Sequence, residues 1–227
     1  MNDRVSRGVA AHLKNFEDAT RDGARLGWKV AFNVPAVQER LGLTGSLIAG
    51  LTRRTGHESG VFHSLTGASR PALEAEVAVW LGSDVAPDVT ETDAASAVVA
   101  WAPAIELVDF NRPFEELEAI ITEGVFHRAV VFGERNPVTP GADLAGRAVR
   151  VDYGGEILCE VDARVATGHA PAILQHLARL LAPYGHRLAA GDVIILGSMN
   201  PFTVAEPGRA FSVSIAGIGA TSVLLVP

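Results

Sequence analysis

Residues 73–81, Leu-Glu-Ala-Glu-Val-Ala-Val-Trp-Leu, alternate with period two and put Glu74 and Glu76 on one face of a strand whose other positions are apolar or small. A fold containing this strand must turn that face to water or set a compensating charge against it. Two adjacent carboxylates repel and push one pKa upward, whereas a divalent cation relieves both charges at once. A second segment bears on the choice. Trp101–Val108 is an apolar run expected in the interior, yet it carries Glu106, and an unpaired buried carboxylate costs several kcal/mol. Three carboxylates with no nearby Cys or paired His fit a hard, oxygen-ligated ion such as Mg²⁺ or Mn²⁺ rather than zinc. A solvated edge bearing two surface glutamates is the alternative, and it stays open on the residues alone.

The chain has 227 residues, 48% of them hydrophobic, which is enough for one large domain with a substantial core. No apolar stretch reaches the roughly 18 residues that cross a bilayer, so no membrane span is expected. The first residues carry charges and no apolar h-region, and Cys159 is the single cysteine, a combination that fits a reducing cytoplasm. A formal charge of −7 argues against nucleic acid as a partner. Of 19 basic residues 17 are arginine, so the two lysines, Lys14 and Lys29, stand out. Lys14 lies in a polar helical stretch where either cation would serve. Lys29 is a candidate for chemistry that needs a tunable ammonium.

The spacing of apolar residues predicts an opening amphipathic helix from about Val5 to Leu26, and a strand over Gly27–Phe32 with Lys29 opposite Trp28. Asn33 is expected to cap a short helix over 35–41 that Gly42 ends. Thr44–Ser69 reads as a long loop with short strands, of the kind that forms a lid. Beyond the strand at 71–81, a helix is expected over 93–102 and strands over 104–110 and 129–133, with a short helix at 114–122 between them. A strand pair should span 148–166, turned at Tyr153-Gly154-Gly155. Residues 171–184 form the clearest helix, stopped by Gly185. The turn Ala190-Gly191-Asp192, a strand over 193–197 and a closing pair at 211–216 and 221–226 complete the chain. Strands dominate the second half without regular strand-helix alternation, so the class is α+β. The expected organisation is an N-terminal helix, 1–26, on a single domain, 27–227.

Other candidates are weaker. Gly197-Ser198 follows a buried strand, where glycine admits a ligand close to the backbone and serine offers a hydroxyl, although a plain strand-end turn fits as well. His57 and Glu58 lie in the expected lid, within reach of general acid or base work, or simply in solvent. Ser198 lacks a Gly-x-Ser-x-Gly elbow, and Gly217-Ile218-Gly219 opens no helix, so neither a serine hydrolase nor a dinucleotide fingerprint is supported.

Taken together, GWKVAFNVPAVQERLGL, LEAEVAVWL, PAIELVDF, GHAPAILQHLARLLAPYGHRLAAGDVIILGSM and FSVSIAGIGATSVLLV resemble, in order and spacing, the 2-keto-4-pentenoate hydratase branch of the fumarylacetoacetate hydrolase superfamily. The resemblance implies an α+β fold around a mixed, barrel-like β-roll with short flanking helices, usually in a homo-oligomer. It implies Mg²⁺ or Mn²⁺ held by Glu74, Glu76 and Glu106, with Lys29 as the active-site lysine and Gly197 and Ser198 beside the substrate. The implied activity is metal-dependent hydration of a short 2-hydroxy-2,4-dienoate, or another reaction of a 2-oxo acid, through a stabilised enolate. Decarboxylation of a 2-oxo dicarboxylate and hydrolysis of a diketo acid use the same logic, and a catalytically silent acid-binding relative or scaffold is the alternative of a different kind. The chain departs from the family pattern at Leu43-Thr44-Gly45-Ser46-Leu47 and at Thr122–Ala129.

Overall fold

Helix α1 (Asp3–Thr20) buries Val5, Val9, Leu13 and Phe16 on one stripe, the spacing its sequence predicts. The computed structural model describes residues 3–227. The helix ends at Thr20, six residues before the expected stop, because a turn at Gly23 (φ 81°) sends Arg25 and Leu26 into the first strand. Strand β1 (Arg25–Ala31) leads to helix α2 (Pro35–Leu41), which Val34 caps without a side-chain bond. Asn33 instead donates its amide to the carbonyls of Thr167 (2.9 Å) and Leu196 (3.3 Å), tying the end of β1 to distant segments.

Strands β2 (Leu47–Thr52), β3 (Gly56–Glu58) and β4 (Val61–Ser64) are the short strands expected in this stretch, but they are built into the two sheets and form no lid. Their short lengths and many turn residues conceal that they are structural. Strand β5 (Pro71–Leu81) precedes helix α3 (Glu91–Ser96). The helix expected through residue 102 stops there, and β6 (Val98–Asp109) begins at once. A run of Val and Ala fits either state, and here β5 settles it by pairing Ala78 with Ala102 and Trp80 with Ala100. A 3₁₀ turn at Phe114–Glu116 opens helix α4 (Leu117–Thr122), which is followed by strands β7 (His127–Phe132) and β8 (Asn136–Pro137).

The hairpin β9 (Ala148–Tyr153) and β10 (Glu156–Asp162) turns at Gly154-Gly155 as expected, but Ala163–Thr167 is helix α5 rather than strand. Asp162 caps it by accepting from the Val165 N–H at 3.0 Å. Helix α6 (Ala170–Leu181) and the 3₁₀ turn Ala182–Tyr184 end at Gly185, whose φ of 75° suits glycine. Strands β11 (Val193–Ile195), β12 (Thr203–Val204), β13 (Ala210–Ile215) and β14 (Gly219–Val226) complete the chain. The Ala-Gly-Asp turn before β11 is held by Asp192, which accepts from Arg25, the Trp28 indole (3.0 Å) and the Ala189 N–H (2.9 Å).

Among the described residues nine strands form one sheet along the path β2-β1-β11-β5-β6-β7-β3, with β12 on β5 and β8 on β6. Because β3 follows β2 after three residues, one short stretch pairs with β1 on one side and β7 on the other. The sheet therefore curls into a half-barrel. A second sheet, β10-β9-β13-β14-β4, packs Phe211, Val213 and Val223 into the same core as Val77, Ile105 and the α1 stripe. Inside the roll, Leu51, Ala78, Ala104, Val130, Val193 and Ile195 form a separate apolar floor. Among the described residues, no helix is long and apolar enough to cross a membrane.

One buried polar residue makes the α1 packing sensitive to pH. His12 is 7% exposed; its Nε2 accepts from the Gly50 N–H (2.8 Å) and its Nδ1 faces the Thr122 carbonyl (3.3 Å). That arrangement needs a neutral ring. Burial, opposed in part by the Thr122 carbonyl, lowers the pKa from 6.5 to about 4. Between those values the unfolded chain binds the proton that the folded one refuses, so stability falls as pH drops through this window, by about 3 kcal/mol in full. We expect His12→Gln to flatten the fall in thermal midpoint between pH 6.5 and 4. Parallel curves for variant and wild type would clear His12 of that role.

Candidate metal centre

The register of β5 on β6 sets Glu74 directly opposite Glu106 and Glu76 opposite Ala104. Period two then keeps Glu74, Glu76 and Ala78 on the inner face of the roll, and the apolar Leu73, Ala75 and Val77 on the outer one. Glu76 and Glu106 are fully buried, while Glu74 is partly exposed to a cavity. One oxygen from each of the three carboxylates lies within 4.8 Å of the others. The strand positions Glu74 and Glu76, read as possible surface residues, are thus interior.

Lys29 enters from β1, on the face opposite Trp28, and is 3% exposed. Its Nζ donates to Glu106 Oε1 at 2.5 Å and to the Val125 carbonyl at 3.2 Å. His127 Nδ1 lies 2.7 Å from the same Glu106 oxygen, and its Nε2 is 3.0 Å from Thr55 Oγ1. Glu76 Oε2 accepts from the Gly197 N–H at 2.7 Å. Gly197 has φ 112°, a conformation that favours glycine, and a Cβ there would stand 3.4 Å from Asn33. The remaining oxygens, Glu76 Oε1 and Glu106 Oε2, are buried with no hydrogen-bond partner. Buried carboxylate oxygens left without partners are costly, and two in one cluster fit an oxygen-seeking cation.

The electrostatics agree. Burial and the Glu106 charge push Glu74 up to about 7. Burial, with the Glu106 and Glu74 charges, holds Glu76 well above the ordinary carboxylate range. Burial also acts to raise Glu106, but Lys29 and His127 outweigh it and lower its pKa. For Lys29, burial acts downward and the carboxylates, Glu106 first, prevail and raise it. One ammonium is too little charge for three carboxylates, so the cluster either retains protons or gains a cation.

The cavity above the cluster has a volume of about 180 Å³ and is lined by Lys29, Glu74, Gly197 and Ser198 together with a largely apolar wall. The structure therefore brings together six of the eight residues singled out from sequence. His57 and Glu58 are not among them. They sit in β3, where His57 pairs with Val131 on the outer side and packs its ring 6.1 Å from His63, and neither lines the cavity. Sequence reasoning missed His127. Ala129 and Val131 face outward, and strict alternation sends His127 with them. A bulge, with Leu107 opposite Ala129 and Val108 opposite His127, makes Arg128 the extra residue and turns His127 inward. Fixing Glu106 through that ring predicts that His127→Gln weakens Mn²⁺ binding by about 10- to 100-fold, the usual effect of removing a group that orients a ligand. Titration calorimetry would measure it, and unchanged affinity would detach His127 from the site.

The sequence profile described as Fumarylacetoacetate (FAA) hydrolase C-terminal matches residues 45–224. The chain belongs to the fumarylacetoacetate hydrolase family. Within it, the chain is 31% identical over 218 residues to 2-keto-4-pentenoate hydratase 1 of Dechloromonas aromatica, covering 89% of this chain and 79% of that one. It is 26% identical over 220 residues to 2-hydroxyhexa-2,4-dienoate hydratase of Comamonas testosteroni, covering 95% and 83%. A solved structure of similar fold is 4-oxalocrotonate decarboxylase from Pseudomonas putida G7, complexed with magnesium and adipate, with a TM-score of 0.84 and 20% identity over 94% of this chain and 82% of that one.

Proposed function

We propose that this chain is a divalent-metal-dependent hydratase acting on short 2-hydroxy-2,4-dienoates and the 2-oxo acids related to them, with Glu74, Glu76 and Glu106 as the ligands of Mg²⁺ or Mn²⁺. The convergence of three carboxylates, two with an orphaned oxygen, beside a buried lysine carries this reading, and the hydratases among its relatives support it. Held by these three carboxylates, a divalent cation would supply stabilisation for the negative charge that develops on a 2-oxo acid in the cavity.

The chain's own residues do the rest. Gly197 fixes Glu76 through one oxygen and leaves the other directed into the cluster. Lys29 and His127 do the same for Glu106 through Oε1. Two of the three Lys29 protons are engaged, by Glu106 and the Val125 carbonyl, and the third is available to an acid in the cavity that the lysine lines. Once the charge of the carboxylates is taken up, Lys29 loses part of the field that raises its pKa while its burial persists. It can then pass a proton from Nζ to the acid in the cavity and take one back from that acid within the same turnover. Gly197 and Ser198 line the same cavity, the Gly197 N–H engaged by Glu76 and the Ser198 hydroxyl directed at Asn200. We assign the active form to a cytoplasmic homo-oligomer as part of the same proposal.

The test is ketonisation and hydration of 2-hydroxypenta-2,4-dienoate followed by absorbance, before and after chelation. Turnover that EDTA abolishes and Mg²⁺ or Mn²⁺ restores is expected. A rate that survives rigorous chelation would exclude the mechanism. Release of CO₂ from a 2-oxo dicarboxylate in place of hydration would move the chain to the decarboxylase reading, and no turnover of any such acid would favour the silent relative.

A further inference from the structure

The cavity has a head and a tail of opposite character. Its charged lining consists of Lys29 and Glu74, both at the carboxylate cluster. Away from them it is walled by Phe32, Phe110, Phe114 and Phe126 with Val34 and Val108. The four rings form one connected aromatic group: Phe110 lies 4.7 Å from Phe126 and 6.4 Å from Phe114, and Phe114 lies 5.9 Å from Phe126 and 6.3 Å from Phe32. Phe202 extends the group toward solvent, 5.4 Å from Phe110 and 55% exposed. Two guanidinium groups stack on this aromatic group without lining the cavity, Arg40 on Phe114 at 5.4 Å and Arg70 on Phe202 at 5.3 Å.

The backbone marks the same wall independently. Among the described residues three non-glycine residues have positive φ, Phe32 (53°), Val125 (52°) and Phe126 (66°), and all three line this cavity. For a β-branched valine that conformation is a true outlier, held only where the surroundings impose it. Here it aims the Val125 carbonyl at Lys29 Nζ and turns the Phe126 ring into the aromatic group.

We infer that this site selects 2-oxo and 2-hydroxydienoic monoacids whose far end is a hydrocarbon, a phenyl ring or an alkyl chain of similar size, and discriminates against acids that end in a second carboxylate. The inference rests on the head-group reading given above and adds the tail. Aromatic walls gain from burying a flat apolar group and from offset or edge contacts with it. A terminal carboxylate in the same place would lose water and meet no cation in the lining, Arg40 and Arg70 lying outside it against Phe114 and Phe202.

Titration calorimetry on the Mg²⁺-loaded protein tests this with three acids that share the head: pyruvate, 2-oxo-4-phenylbutanoate and 2-oxoadipate. We expect the phenyl acid to bind about 100-fold more tightly than pyruvate, which is two tenfold steps at the usual conversion, and 2-oxoadipate to bind no more tightly than pyruvate. Phe114→Ala should lower the ratio of phenyl-acid to pyruvate affinity by about tenfold, with circular dichroism confirming the fold. Metal-dependent binding of pyruvate combined with tighter binding of 2-oxoadipate than of the phenyl acid would overturn the tail assignment and leave the head-group reading standing. The same holds for a ratio near one in the wild type. Failure of all three acids to bind in a metal-dependent way would overturn both.

Discussion

Replacing Glu106 by glutamine is expected to abolish both the thermal stabilisation by Mn²⁺ and the turnover of 2-hydroxydienoates. In the wild type, an ion at 100 times its Kd stabilises the fold by about 2.7 kcal/mol, a rise in thermal midpoint of roughly 5–11 °C for a chain of this size. Glutamine keeps the shape of Glu106 and can still accept from Lys29, so the strand register and the cavity survive. The charge does not. Lys29 is then buried with only Glu74 and Glu76 as anions, and breaking such a buried pair costs up to about 3–5 kcal/mol. The two remaining carboxylates limit that loss, because the repulsion from Glu106 that helped raise their pKa values is gone and they ionise more readily. The diagnostic quantity is therefore the difference between the midpoints with and without Mn²⁺, which separates ligation from stability. A variant that keeps the ion-dependent shift and the wild-type rate would show that the three glutamates are not the ligand set.

The site was legible where its logic is local. Period two alone placed Glu74 and Glu76 on one face, and an apolar run with a single carboxylate placed Glu106 inside. Opposition of Glu74 to Glu106 is a matter of register, which the sequence leaves free and the β5–β6 ladder fixes. His127 escaped because one bulge reverses the face that alternation assigns, and nothing in Phe126-His127-Arg128-Ala129 announces the bulge. The supposed lid failed for a related reason. Strands of three and four residues, such as 56–58 and 61–64, are too short to show a period, yet β3 closes the roll by pairing with β7, and β4 joins the second sheet through β14. Helix α6 was legible for the opposite reason, since twelve residues give its stripe of Leu174, Leu177, Ala178 and Leu181 three turns to declare itself.

Lys29→Arg should lower the rate of dienoate turnover by about 10² or more, the usual scale for a group that gives or takes a proton. The substitution holds charge constant and removes the chemistry, because a guanidinium stays protonated at any working pH. Arginine is tolerated at 17 other positions of this chain, so the residue type itself is no obstacle to folding. The site is tighter than those. Lys29 is 3% exposed and wedged between Glu106 and the carbonyl of a strained valine, a space shaped for a compact ammonium. Lys29→Met separates the two parts of the argument. It removes the charge as well and leaves Glu106 with His127 as its remaining side-chain partner, so affinity for the substrate's carboxylate should fall along with kcat. If the lysine acts only as a counter-charge, arginine keeps most of kcat and raises KM, while methionine loses both. If it moves a proton, kcat falls by a similar factor in both variants and KM distinguishes them. Wild-type kinetics in both variants would remove Lys29 from the reaction, and its burial among three carboxylates would then be a matter of charge balance in the fold alone.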